Sequence, residues 1–339
     1  MPRIWGARSL APIYPEQSNL SEPIGEAWLT GPLSEIPDGP FKGPLNSAWQ
    51  RMPVEWRGSN FSAEKAASDF PLLVKFLFPT DQLSIQVHPK DDYAAEHEAP
   101  GSCGKTEMWH AVSAQPGATL LLGLAPKVDP QEFEAAIEKG GLENFFERLP
   151  VSGGDTFFVP AGTPHTIGKG MVLCEVQQNS DLTYRLYDFQ RVDAQGHPRQ
   201  LHVEKGMAVI DFDYRHGGKV PPLLLPSSAG TRKSLLAACR YFSSERWDIS
   251  ANTEANSDPS RFELLIVLGG NGTVAWDGGS NAYTQGECWF IPAQLGNFSI
   301  TPDAATSILR TYVPDAGVLR AKLLSAGASE AALQKVFFP

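Results

Sequence analysis

The feature that most constrains this chain is an internal repeat. Residues 154–160 read Gly-Asp-Thr-Phe-Phe-Val-Pro and residues 286–292 read Gly-Glu-Cys-Trp-Phe-Ile-Pro, with Ala161 and Ala293 continuing the match. Acidic, aromatic and β-branched characters align position by position from Gly154 to Gly286, an offset of 132. A match of this kind predicts two copies of one β-module. Carried further, the offset sets His165 opposite Asn297, so the first copy keeps a side chain of chemical interest and the second has lost it.

Size and composition agree with that reading. A chain of 339 residues suggests two domains. Its 31 Gly and 28 Pro punctuate many short apolar runs, which favours an all-β sandwich or barrel with a few added helices. With 28 basic against 38 acidic residues the formal charge is −10, and no Lys/Arg run stands out. Nucleic acid is therefore not an expected partner, and an anionic substrate requires a local cluster of cations. No apolar run approaches membrane-spanning length, and Met1-Pro2-Arg3-Ile4-Trp5-Gly6 lacks a signal-peptide core. Cys103, Cys174, Cys239 and Cys288 form no Cys-x-x-Cys pair and read as free thiols. A cytoplasmic enzyme is the expected class.

The pattern predicts strands near 70–78, 83–88, 106–112, 118–123, 155–159, 165–167 and 171–177. Asp129-Pro130-Gln131-Glu132 is a helix start, with Asp as N-cap and Pro at the first helical position. Phe133, Ala136 and Ile137 supply its apolar stripe and Gly140-Gly141 its end. Residues 203–212 are expected as a connecting helix, and Pro221-Pro222 with Pro226-Ser227-Ser228-Ala229-Gly230 as the linker. Strands at 261–268, 272–276, 287–291 and 307–313 follow, then a helical tail after Pro314. The expected domains are 1–225, with a short helical insert near 126–150, and 226–339.

Within the first module three stretches supply metal-ligand side chains: Gln86-Val87-His88-Pro89, Lys105-Thr106-Glu107-Met108-Trp109 and Pro160-Ala161-Gly162-Thr163-Pro164-His165. Residues two apart on a strand share a face, so Gln86 and His88 can reach one ion. Ser84 shares their parity, while Leu83, Ile85 and Val87 are expected on the opposite face. Two imidazoles, one carboxylate and one amide oxygen suit a borderline divalent ion such as zinc. Lys75, inside the apolar run Leu72–Leu77, is costly to bury unless paired or facing a pocket. Strand parity turns His110 away from Glu107. His97 reads as exposed; His197, His202 and His216 lie outside any ligand spacing, and Cys103 and Cys174 read as bystanders.

Together with Glu-Val-Gln-Gln-Asn-Ser-Asp-Leu-Thr-Tyr-Arg (175–185), Tyr187-Asp188-Phe189 and Pro23-Ile24-Gly25-Glu26-Ala27-Trp28, these motifs resemble type I mannose-6-phosphate isomerase over roughly residues 3–215. The resemblance implies a pair of cupin-type jelly rolls with one zinc per chain, held in the first by Gln86, His88, Glu107 and His165. It points to Lys75, Ser84, Lys105, Glu175, Asp181 and Arg185 as pocket residues, and to a hexose phosphate as the small-molecule partner. Larger relatives carry a substantial helical domain where this chain has about 25 residues (126–150), as in compact bacterial forms.

Aldose–ketose isomerisation through a cis-enediolate requires a polarised carbonyl and a general base. Glu175 and Asp181 are the candidate bases. Asp181 is preferred, because it lies four residues before Arg185 and a neighbouring guanidinium keeps a carboxylate ionised. Arg185 then faces the enediolate or a phosphate oxygen, while Lys75, Lys105 and Ser84 contact phosphate or assist ring opening. Two rivals stand beside this reading. His88, Glu107 and His165 also form a two-histidine, one-carboxylate set that holds Fe(II) in cupin oxygenases. A non-catalytic sugar-phosphate-binding cupin is the other.

Overall fold

The computed structural model describes residues 1–61, 69–192, 195–213 and 218–339; His216 lies outside them. The chain divides into two compact units. The first comprises Met1–Pro12, Gln17–Ala27 and Val74–Lys219; the second comprises Ile13–Glu16, Trp28–Leu73 and Val220–Pro339.

In the first unit one sheet runs in the order Thr156–Val159, Glu107–Ala114, Met171–Gln178, Leu72–Leu77, Glu26–Trp28. The other runs Tyr184–Tyr187, Ile85–Val87, His165–Ile167, Thr119–Leu124, Phe146–Pro150. Thr156–Val159 and Met171–Gln178 each pair antiparallel with Glu107–Ala114, and the five strands of the second sheet pair antiparallel throughout. Alternate residues of the two sheets meet in one core: Leu77, Trp109, Ala111, Leu120, Leu122, Phe157, Val159, Ile167 and Leu173. The opposite face of the second sheet presents Ile85, Val87, Leu121 and Leu186 to the helix Pro130–Lys139 through Phe133, Ala136 and Ile137. Both faces of the second sheet are thus covered, and in the first sheet the central strand Met171–Gln178 is buried along its whole length. The predicted helix start is realised, with Asp129 accepting from the Gln131 and Glu132 amides at 2.8 and 3.0 Å.

The second unit repeats the plan. One sheet is ordered Leu223–Leu225, Thr231–Ala238, Ser243–Ile249, Thr306–Tyr312, Glu263–Gly269, Cys288–Ile291. The other is ordered Thr253–Asn256, Asn297–Pro302, Asn271–Trp276, Gly279–Thr284. Its core gathers Trp247, Ile249, Leu265, Val267, Val274, Tyr283, Ile291, Phe298, Ile300 and Ile308. The chain is all-β, built from two cupin-type modules with a few helices, and the helices Ala316–Ser325 and Glu330–Leu333 form the expected tail.

Two expectations are corrected. Leu83 joins the interior core with Trp109 and Leu122 rather than the outer face, because the strand begins only at Ile85 and alternation does not hold before it. Residues 28–73 group with the C-terminal half rather than with 1–225. Their aromatic side chains bury there: Trp49 meets Phe262 edge-on at 5.2 Å between centroids, and Phe70 lies 5.1 Å from the same ring.

Candidate metal centre

Register places the donors. His165 lies directly across from Gln86, and Arg185 across from Gln86 on the other side, so three polar residues form one row of the second sheet. In the first sheet Glu107 is flanked by Val159 and Gln177. Inward positions that are apolar at Trp109, Leu173 and Leu77 become Glu107, Glu175 and Lys75 two residues further along each strand. The interior therefore changes from hydrocarbon to ionisable groups over one pleat repeat.

His88, Glu107 and His165 converge, with one potential ligand atom from each lying within 4.8 Å of the others. Each is about 1% exposed, so water cannot satisfy them as it would at a surface. His88 Nδ1 bonds the Leu182 carbonyl at 2.8 Å and His165 Nδ1 the Thr163 carbonyl at 2.9 Å. A carbonyl only accepts, so each Nδ1 carries the hydrogen and each neutral ring turns an Nε2 lone pair inward. Burial, then the Lys105 charge, push the His88 pKa down to about 3; burial also lowers that of His165. Burial opposes ionisation of Glu107, but the Lys105 charge beside it outweighs burial and holds its carboxyl well below the usual range.

His88 Nε2 then stands 3.4 Å from Glu107 Oε1, and His165 Nε2 stands 3.8 Å from Oε2, with lone pairs facing a carboxylate. His88 Nε2 and Glu107 Oε2 are buried and have no hydrogen-bond partner among the described residues. Two carbonyl-oriented imidazoles around a carboxylate form a donor set that a divalent cation completes, with the carbonyls acting as the supports usual behind metal-bound histidines. The residues fit the ion. The Gln86 side chain reaches His165 Nε2 at 3.3 Å, and a flip of its amide turns the oxygen to the same place.

The remaining predicted residues arrange themselves around this cluster. Lys105 Nζ is 3.1 Å from Glu107 Oε1, and Lys75 Nζ is 3.0 Å from Glu175 Oε1. Both lysines and Glu175 are buried. Burial opposes the charge on Lys75, yet Glu175 beside it raises its pKa overall. Burial, then the negative charge of Glu107, push Glu175 up to about 7 against the pull of Lys75. Ser84 Oγ donates to Gln86 Oε1 and accepts from Arg185 Nε, each at 3.3 Å, so Arg185 is tied into the same row.

Asp181 is not brought together with them. It is exposed, and among the described residues no ion pair joins it to Arg185. The preceding strand ends at Gln178 and Arg185 sits on the next strand, so a spacing of four carries no helical proximity here. His110 faces away and bonds Thr156 Oγ1 at 2.9 Å.

Sequence reasoning missed the groups that hold the Lys105–Glu107 segment. Gln178 Oε1 accepts from the Thr106 amide and its Nε2 donates to Asp91 Oδ1, both at 2.9 Å. Asp91 also accepts from the Gly104 amide at 2.9 Å. The Gln177-Gln178 pair inside a buried strand was the available signal. The Leu182 and Thr163 carbonyls had none, because any residue supplies a carbonyl.

A two-module cupin with a buried two-histidine, one-carboxylate centre flanked by lysines defines the class. Residues 3–115 match the family description "Phosphomannose isomerase type I, catalytic domain", and residues 231–312 match "Mannose-6-phosphate isomerase, cupin domain". The chain is 34% identical over 306 residues to the mannose-6-phosphate isomerase of Streptococcus mutans, covering 89% of this chain and 92% of that one. It is 35% identical over 303 residues to the probable mannose-6-phosphate isomerase GmuF of Bacillus subtilis, covering 88% and 92%. The crystal structure of the Bacillus subtilis mannose 6-phosphate isomerase superposes with a TM-score of 0.82 at 30% identity, covering 92% of this chain and 96% of that one. The chain belongs to the type I mannose-6-phosphate isomerase family, and it is an isomerase.

Proposed function

We propose that this chain interconverts mannose 6-phosphate and fructose 6-phosphate through a cis-enediolate, with one zinc held by Gln86, His88, Glu107 and His165. The observation that carries the reading is the inward convergence of two neutral Nε2 lone pairs on a buried carboxylate that lacks partners for Oε2. Zinc bound there supplies Lewis acidity toward the substrate oxygens.

The rest of the chemistry belongs to the chain. Glu175 is the general base, since it is the buried carboxylate poised near neutrality and not engaged in the donor set. It takes the proton from C2 of the aldose and returns it to C1, while the hydroxyl proton passes from O2 to O1. Lys75, 3.0 Å away, favours the ionised form of Glu175 as it accepts the next substrate. Arg185 and Lys105 supply positive charge for the enediolate and the phosphate. The charges agree with this use. Lys75 and Lys105 balance Glu107 and Glu175, so a divalent ion leaves the interior with an excess of two positive charges, which a phosphate dianion offsets. The same surplus favours a phosphorylated substrate over the oxygen chemistry of an Fe(II) cupin. No helix among the described residues is long and apolar enough to cross a membrane, and no disulfide joins the four cysteines, which suits a reducing cytoplasm.

The test is turnover of mannose 6-phosphate in a coupled assay before chelation, after it and after zinc is returned. Activity lost to chelator and restored by zinc is expected. Zinc bound with no turnover of any hexose phosphate would overturn the catalytic reading in favour of a sugar-phosphate-binding cupin.

A further inference from the structure

The two modules superimpose by register as well as by sequence, and this locates the second module's counterpart of the metal centre. Val159 pairs with Glu107 as Ile291 pairs with Glu263, at the offset of 132 already seen from Val159 to Ile291. His165 pairs with Gln86 as Asn297 pairs with Asn256. Two residues beyond Gln86 is His88; two beyond Asn256 is Asp258. The four donor positions of the first module thus correspond to Asn256, Asp258, Glu263 and Asn297. All four offer oxygen, and both imidazoles are gone.

The neighbouring charges are exchanged as well. Glu175 lies across from Trp109, two residues from Glu107; Arg310 lies across from Leu265, two residues from Glu263. Arg310 therefore stands where the first module has Glu175. On the next strand Glu245 lies across from Arg310, in the strand that corresponds to that of Lys75. A lysine–glutamate pair has become a glutamate–arginine pair with its polarity reversed.

Guanidinium groups hold the acidic donors. Arg310 clamps Glu263, which is fully buried, through Nε at 2.8 Å and Nη2 at 2.5 Å. Arg261 reaches Asp258 Oδ2 at 2.5 Å and Glu263 Oε1 at 3.6 Å, with its guanidinium 3.9 Å over the Tyr312 ring. Glu245 accepts from Trp247 Nε1 at 2.8 Å and Tyr312 Oη at 2.9 Å. Asn256 Nδ2 donates to Asn297 Oδ1 at 2.5 Å.

We infer that the second module keeps the layout of the metal centre with the ion replaced by two built-in cations, Arg310 and Arg261, and that removing either charge opens an oxygen-donor site for a hard divalent ion. Two carboxylates and two amides select manganese or calcium over zinc. The correspondence rests on the metal reading of the first module, so the experiment counts the two sites separately.

Zinc-loaded wild type, Arg310→Ala and Arg261→Ala are titrated with Mn2+ and with Ca2+, reading bound metal per chain and Tm. The double variant Arg310→Met/Glu263→Gln, which removes both members of the clamp, serves as the comparison. Wild type is expected to hold its zinc and no second ion. At least one single-arginine variant should take up a second equivalent, of Mn2+ or Ca2+, with a rise in Tm that the double variant does not show. A second ion in wild type would overturn the inference. So would soluble Arg261→Ala and Arg310→Ala proteins that keep their zinc but bind nothing more. Loss of the zinc count in wild type itself would instead mark failure of the first-module reading.

Discussion

At the scale of single residues, the proposed metal centre is oriented by atoms that would not touch the ion. The Leu182 and Thr163 carbonyls each fix a hydrogen on Nδ1, and that alone makes His88 and His165 donors through Nε2. The convergence of His88, Glu107 and His165, with Gln86 beside His165, was legible because residue type and strand parity are sequence properties, whereas the carbonyls are not. The preference for Asp181 over Glu175 rested on its closeness to Arg185 in sequence, whereas in the structure Asp181 is exposed and the end of one strand and the start of another lie between the two; Glu175 is the base we propose. Two substitutions separate the carboxylates. Glu175→Gln is expected to retain a full equivalent of zinc while kcat falls by about 10²–10⁴, the usual worth of a general base. Asp181→Asn should leave kcat within a few-fold. Steady-state kinetics with metal analysis on each protein checks both. Equal losses in the two would reject Glu175 as the base.

At the scale of elements, the strand bearing Arg185 is anchored by an ionic knot just beyond it. Asp188 is buried, and its carboxylate meets Arg191 Nη2 at 2.6 Å and Arg199 Nε at 2.7 Å. Arg191 reaches back to Asp81 at 3.3 Å, ahead of the Gln86 strand. Burial pushes the Asp188 pKa up, but the two arginines outweigh it and the net direction is down. A carboxyl depressed on folding contributes stability above its unfolded pKa and loses it as pH falls through the folded value. Asp188→Asn should therefore lower Tm at pH 7, by the equivalent of about 3 kcal/mol for a broken buried pair. The gap to wild type should persist down to about pH 4 and close below it, where wild type is protonated too. Thermal melts across that range decide it; a gap independent of pH would mean that packing, not charge, is what Asp188 provides. The helix cap is a smaller case. Asp129→Ala loses two amide acceptors and should cost about 1 kcal/mol.

Some elements were not legible at all, for a consistent reason. Thr253–Asn256 and Gly279–Thr284 contain almost no apolar run, and Gly279–Thr284 is exposed along most of its length. They exist because a neighbouring strand completes their hydrogen bonds, which is a property of the partner. Strands in continuous apolar runs, such as Leu72–Leu77, Thr156–Val159 and Glu263–Gly269, were found to within a few residues, whereas Tyr184–Tyr187, Thr231–Ala238, Ser243–Ile249 and Asn297–Pro302 were not predicted, because charged and hydroxyl residues interrupt their buried faces.

At the scale of the whole molecule, a cut in sequence is not a cut in structure. The repeat predicted two modules, and two compact units exist, but residues 28–73 belong with the second. Nothing in the repeat could show this, because that segment lies before the first copy and has no counterpart in it. Its place is set by burial. Trp49, Phe61 and Phe70 surround Phe262 with centroids 5.1–5.4 Å apart, and Phe290 stacks on Phe262 at 5.2 Å. Phe262→Ala should thus destabilise the protein by about 3–5 kcal/mol, the range for a large aromatic removed from a close-packed core. A chain ending at residue 225 removes Phe262 and Phe290 altogether while leaving Trp49, Phe61 and Phe70 behind, exposing an apolar patch of the kind that drives association. That fragment carries every residue of the metal centre, yet it is expected to be recovered in aggregates. Light scattering and metal content of the purified fragment test this: a monodisperse, zinc-bound fragment would show that the aromatic segment does not need its C-terminal partners.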